Sequence, residues 1–177
     1  MYALLDEQSD SSFIKESILN QLGVSGPTVS LNIHTISGKQ ITDSIKIQGL
    51  KVKGYNERME IQINAAYSTK DISARRNQIP RPETARAWPH LNVLSDKLME
   101  YNPHVDIGLL IGLDCIAAIK AQEQIASDND EHPYARKTNL GWGIIGGTSP
   151  HRGAMDDSLV VYRTVTQEVE INEEKAC

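Results

Sequence analysis

The residue that could do chemistry first is Asp6, which closes the apolar run Tyr2-Ala3-Leu4-Leu5 and is followed by Glu7, Gln8 and Ser9. Asp10-Ser11-Ser12 then leads into the strand-like Phe13-Ile14. An apolar strand that ends on a carboxylate sets a charge against a core, which is costly unless the charge finds partners. Such an acid is either hydrogen-bonded by the turn that follows it or shares a proton with a second acid. In an arbitrary chain an Asp at this place is most often a turn or cap residue.

The remaining reactive types offer less. Gly141-x-Gly143-x-x-Gly146 matches a dinucleotide loop in spacing, but it follows no strand-to-helix switch and runs into Thr148-Ser149-Pro150, so it does not read as a phosphate cradle. His34, His90, His104, His132 and His151 share no ligand spacing, and no metal is expected. Cys115 sits in an apolar stretch and reads as a small core residue rather than a nucleophile. Trp88 reads as a packing anchor. No cofactor is implied.

The elements that must position Asp6 are predominantly strands. Lys15–Leu22 has Ile18, Leu19 and Leu22 at helical spacing, with Gly23 as its stop. Thr28–Ile36 alternates, Ser37-Gly38-Lys39 is turn chemistry, and Gln40 onward resumes β character, which predicts a hairpin with Gly38 at its tip. Leu50 and Val52 form a further short strand, Gly54-Tyr55-Asn56 a turn, and Met59, Ile61 and Ile63 another strand. Residues 64–90, with Arg75, Arg76, Arg81 and Arg86, read as an extended, solvated surface loop, and 92–101 as a short helix with Val93, Leu94 and Leu98 on one stripe. Val105–Gly112 is a continuous apolar run, hence a strand buried on both faces. Asp114 is placed to cap a helix over Cys115–Ile119. Ala126–His132 is a polar loop, Leu140–Gly147 a last short strand. The expected domain spans 1–147, and 148–177 forms a C-terminal tail with one alternating stretch, Leu159–Val165.

Bulk properties narrow the function. A chain of 177 residues suits one domain with a full core. A net charge of −5 argues against nucleic acid or an anionic membrane as partner. Two isolated cysteines, no apolar run of membrane-spanning length and an opening stretch interrupted by Asp6 and Glu7 point to a cytoplasmic setting.

Four pieces of the sequence resemble, in order and rough spacing, the peptidase domain of Pao/BEL-type retrotransposon polyproteins, a putative A16-type aspartic peptidase. They are Leu5–Ile14, Trp88-Pro89-His90-Leu91, Gly108-Leu109-Leu110-Ile111-Gly112 and Leu140–Gly146. The resemblance implies a mainly β, retropepsin-like closed barrel with one or two short helices. Asp6 takes the catalytic position, and Glu7, Gln8 and Ser9 complete the active-site loop. Gly38 takes the tip of a substrate-covering flap, and Leu110, Ile111 and Gly112 belong to the strand behind the active site. It further implies two carboxylates sharing one proton. The chain has one such loop, since Asp156-Asp157 lacks the incoming strand and Asp114 belongs to another motif. The partners implied are therefore a second copy of the chain, as a homodimer with Asp6 from each subunit at a two-fold axis, and an extended peptide or polyprotein substrate. Ser9 is expected to hydrogen-bond the outer oxygen of Asp6. A family strand upstream of the Asp6 run has no counterpart here, as in an excised or mis-started piece of a longer chain. Glu7 and Gln8 replace the family's Thr/Ser and Gly, which sets a different reading beside the enzyme: an inactive remnant retained as a dimerisation or peptide-binding module.

Overall fold

The computed structural model describes residues 1–147 and the strand Val165–Val169. Asp156-Asp157, His151, Cys177 and most of the Leu159–Val165 stretch lie outside the described residues. Strands β1 (Tyr2–Leu5) and β2 (Ser12–Lys15) flank the Asp6 loop, and helix α1 (Glu16–Leu22) follows. Gly23, at φ 63°, ends that helix: its N–H and that of Val24 donate to the Asn20 and Leu19 carbonyls. A hairpin of β3 (Thr28–Thr35) and β4 (Gly38–Lys53) comes next, then β5 (Glu60–Thr69). Helix α2 (Pro82–Arg86) precedes β6 (Ile107–Ile111), and α3 (Ile116–Ile119) succeeds it. The chain continues through β7 (Glu123–Ile125), β8 (Tyr134–Thr138) and β9 (Gly141–Ile145) to β10 (Val165–Val169).

The protein is mainly β with a few short helices, as its alternating patterns predict. Seven strands form one sheet in the order β1-β6-β2-β5-β4-β3-β10, and β7-β8-β9 form a second. The expected closed barrel is not present among the described residues. Closure requires hydrogen bonds between the two outermost strands, and here β1 and β10 end the order without pairing. β4 splices the large sheet together: Gly38–Ile45 pair antiparallel with β3, and Lys46–Lys53 pair antiparallel with β5. What the pattern divides into separate short strands is therefore one. The segment beyond 147 is not only a tail, because β10 pairs antiparallel with β3.

Burial explains why β6 lies where it does. Ile14 of β2, Ile63 of β5, and Leu109 and Ile111 of β6 are all within 1 % of complete burial. Each is worth about 1.5–3 kcal/mol against exposure, and together they hold β6 against β2 in one core with Leu19 and Cys115. Residues 64–90 depart most from expectation. They are not a solvated loop: β5 runs on to Thr69, and Ala85, Leu91 and Leu94 are fully buried in a second core with Ala135 and Ile144. The predicted helix over 92–101 is replaced by a 3-10 turn, Pro89–Leu94, that leaves Val93 61 % exposed. The arginines here are engaged: Arg76 donates to the Pro103 and Val105 carbonyls, and Arg81 stacks 3.7 Å from the Tyr101 ring centroid. No helix among the described residues is long and apolar enough to cross a membrane.

Candidate active site

β6 lies between the two arms of the Asp6 loop. It runs parallel to β1, with Leu5 opposite Ile111, and antiparallel to β2, with Phe13 opposite Leu110. The loop from Asp6 to Ser11 therefore bridges the end of β6, and the main chain fastens it there. Asp6 N–H donates to the Ile111 carbonyl at 2.9 Å, and Leu113 N–H donates to the Ser9 carbonyl at 2.8 Å. Gly112 makes this contact possible through its size. A Cβ built on it would lie 2.5 Å from the Ser11 oxygen and 2.8 Å from the Ser9 oxygen. Its φ of −95° is open to any residue, so the demand is steric.

Asp6 is half-buried as a residue, and its carboxylate accepts the Gln8 N–H on Oδ1 at 2.8 Å. Gln8 thus does with its backbone what a Gly at that place would do. No residue other than glycine has a positive φ among the described residues, so Gln8 sits there unstrained with its side chain exposed. Ser9 is 1 % exposed, but its hydroxyl donates to the Ser11 carbonyl at 2.7 Å. The expected bond from Ser9 to Asp6 is replaced by one that tightens the loop on itself, with the Gln8 N–H on Asp6 in its stead.

Glu7 is not left as a second free acid beside Asp6. Its carboxylate is paired with the guanidinium of Arg136 on β8. The pairing joins the loop to the second sheet across 129 residues of sequence, which is why nothing near Glu7 in the chain announces it. Arg136 is a site residue that sequence reasoning misses.

A second pair it misses is Ser12 with Asp114. The buried Ser12 hydroxyl donates to Asp114 Oδ1 at 2.7 Å and accepts the Gly112 N–H at 3.1 Å, while Ser12 N–H reaches Oδ2 at 3.3 Å. Asp114 does not cap a helix: the turn Leu113–Cys115 and α3 have no side-chain cap, because the carboxylate is committed to Ser12. Much of the Asp114 residue is exposed, yet its carboxylate is turned inward. That burial pushes its carboxyl above the usual range; the bonds from Ser12 oppose the shift and the Asp10 charge adds to it. A Ser–Asp signal of this kind lies in the spacing Gly112-x-Asp114 directly after the strand, but its partner is 102 positions away.

Gly38 opens β4 opposite Thr35 at φ 135°, and the two-residue tip of the hairpin is Ile36-Ser37. In strand order β5 separates this hairpin from β2 and the Asp6 loop. Leu110 and Ile111 lie on β6, and Gly112 directly follows it. The Trp88-Pro89-His90-Leu91 piece belongs to the second core. Trp88 packs 4.8 Å from the His132 ring, and His90 Nε2 meets the Pro133 carbonyl at 2.8 Å, so it anchors the polar 126–133 loop. Cys115 is buried, and that burial raises its thiol pKa first of all. No group of three or more His, Cys, Asp or Glu is placed to hold a metal among the described residues.

Compared with protein-family models, with curated proteins and with solved structures, the chain has no match in any of the three.

Proposed function

We propose that the chain is a retropepsin-like aspartic endopeptidase domain of the Pao/BEL retroelement type, working as a homodimer. In that dimer Asp6 of each copy contributes one carboxylate, and the two share a proton because like charges so close cannot both ionise. One carboxylate takes a proton from the water that attacks the scissile carbonyl, and the other gives its proton toward the leaving nitrogen. The substrate lies extended beneath the β3–β4 hairpin, held by main-chain pairing. The observation that supports this reading is the loop itself: Asp6 at the end of the partly buried strand β1, its carboxylate held by the Gln8 N–H, both arms of the loop bound to β6.

The test is cleavage of a peptide library by the purified chain, with sedimentation to read its size. A dimer that cleaves, and ceases to on Asp6→Asn, supports the reading; a chain that stays monomeric under every condition ends it. The rate should fall from about pH 4 to about pH 7, since the dyad must keep one proton. A different reading, an inactive module that keeps only the fold, is favoured by Glu7, which stands where a hydroxyl belongs and is tied to Arg136. Glu7→Thr with Gln8→Gly separates the two: activity gained only in that variant identifies the natural chain as the inactive form.

A further inference from the structure

Beside the Asp6 loop, an open cleft of about 1260 Å³ is lined by residues of both the large sheet and the second sheet. It exceeds the usual size of a small-molecule site. β1, β4 and β6 of the large sheet and β8 and β9 of the second contribute to its lining, and of these β1 and β9 are each the last strand of their sheet. The hydrogen bonds of β1 fix which way its backbone faces. Asp6 N–H donates to the Ile111 carbonyl, so positions 6 and 4 face β6; Tyr2 N–H reaches the Asp106 carbonyl across a register shift between Tyr2 and Ala3. By the alternation of a strand, the N–H groups of Ala3 and Leu5 point to the outer edge. Among the described residues no strand occupies that edge. An unpaired row of donors and acceptors at the wall of a cleft is a template for another extended chain.

β9 adds a second, independent sign. Gly141, at φ 114°, is called for by its own backbone, but Gly143 breaks the run of side chains with no such demand: a Cβ on it would meet only the Arg136 carbonyl, at 3.9 Å. Glycines in a strand that faces open space leave room for another backbone to come close.

The lining also carries a charge preference opposite to that of the chain. The protein has 23 acidic and 18 basic side chains, but the cleft is lined by Lys51, Lys53, Arg75, Lys97, Arg136 and Lys137 against only Glu57 and Asp96. Arg136, Lys137 and Lys51 have carboxylate partners in Glu7, Glu123 and Glu60. Lys53 and Lys97 have none among the described residues, and Lys97 stands 5.9 Å from the Trp142 ring centroid.

We infer that this cleft binds an extended, acidic peptide segment of about four or five residues by strand addition to the free edge of β1. The peptide backbone pairs with Ala3 and Leu5, and its acidic side chains meet Lys53 and Lys97. Asp6 itself does not line the cleft, although Leu5 and Arg136 do, and occupancy of the cleft is read by binding rather than cleavage, so the proposal stands or falls apart from the peptidase reading.

The experiment titrates the full chain with a short labelled peptide alternating Glu and Val, and with the same peptide carrying Lys for Glu, following anisotropy and Trp fluorescence, since Trp142 lines the cleft. The acidic peptide should bind and the basic one should not, with affinity falling as salt rises. Lys53→Glu with Lys97→Glu, both exposed in the free chain, should weaken it about tenfold or more. Ala3→Pro removes one outward N–H without touching the bonds to β6, as edge strands allow, and should abolish binding while the thermal melt is kept. Equal binding of both peptides, binding by neither, or full binding to the lysine variants overturns the proposal. Self-association of the chain that is lost in Ala3→Pro, with no peptide bound, also overturns it, and assigns the edge to a second copy.

Discussion

The Asp6 carboxylate and the Glu7 carboxylate are neighbours in sequence with opposite settings. Asp6 is held by a backbone N–H within its own loop, whereas Glu7 leaves the loop to meet Arg136. Two Glu7 beside two Asp6 in the proposed dimer would gather four acids, and Arg136 supplies one cation per copy to offset them. Removing it should therefore matter more for association than for folding. With Glu7 47 % exposed, Arg136→Ala should cost the fold no more than about 1 kcal/mol, as read by urea unfolding. The dimer dissociation constant near neutral pH should rise several-fold and return toward the natural value in Arg136→Ala/Glu7→Gln. Recovery in the double variant separates charge from lost packing. Asp114 gives a second test at this scale. Its removal strands the buried Ser12 hydroxyl, so Asp114→Ala should cost about 1–3 kcal/mol. Because the folded carboxyl titrates above its ordinary value, the native state holds its proton more tightly than the unfolded one. Stability from this group is thus greatest at low pH and declines as pH rises past about 4. The charge-free Asp114→Asn should gain on the natural protein as pH climbs through that window, by a small amount given the exposure of the residue.

Among the elements, β6 carries the site, because both arms of the loop are hydrogen-bonded to it. Gly112→Ala forces a methyl group onto two loop carbonyls and should cost about 1–3 kcal/mol, seen as a lowered midpoint in thermal unfolding. The start of β6 is fixed by charge. Lys15, only 13 % exposed, reaches Asp106 and Asp71 at 2.9 Å each. Asp106 is held below its ordinary range, first by the bond from Lys15, and Lys15 is raised, first by the bond to Asp106. For the depressed acid, the stabilisation is present above its unfolded value near 4 and is lost as pH falls through the folded one. Asp106→Asn should therefore be less stable than the natural chain at neutral pH, and the difference should shrink on acidification below about pH 4. The end of α1 was readable along the chain because Gly23 marks it, and the hairpin because Ser37-Gly38 parts two alternating runs, although its tip is Ile36-Ser37 rather than Gly38. Arg76 and Arg81 were not, since their partners at Pro103, Val105 and Tyr101 are more than fifteen residues away.

At the scale of the molecule there are distinct apolar cores, one under the large sheet and one joining α2 and the 3-10 turn at 89–94 to the second sheet. Leu91 belongs to the second and is fully buried. Leu91→Ala should cost about 2–5 kcal/mol. Its effect should be local: amide exchange should accelerate first in β8 and β9, while the amides of β6 stay protected. Loss of protection in both sheets together would mean that the cores unfold as one. This second core stayed hidden in the sequence because Ala85, Leu91 and Leu94 follow no single period, being set by a short helix and then a 3-10 turn.

The amino-acid sequence by itself determined the strand-rich class, the burial of β6, the break after α1 and the isolation of Asp6 at the end of an apolar run. Those are local properties, written in periodicity, in glycine and in the cost of a charge beside a core. Only the tertiary structure decided that the large sheet is open among the described residues, that Glu7 is answered by Arg136, that Ser9 turns away from Asp6 and that Ser12 holds Asp114. Each joins residues through pairings that hydrophobic pattern does not specify, because a hydrogen bond or ion pair depends on where two distant segments of chain come to lie together.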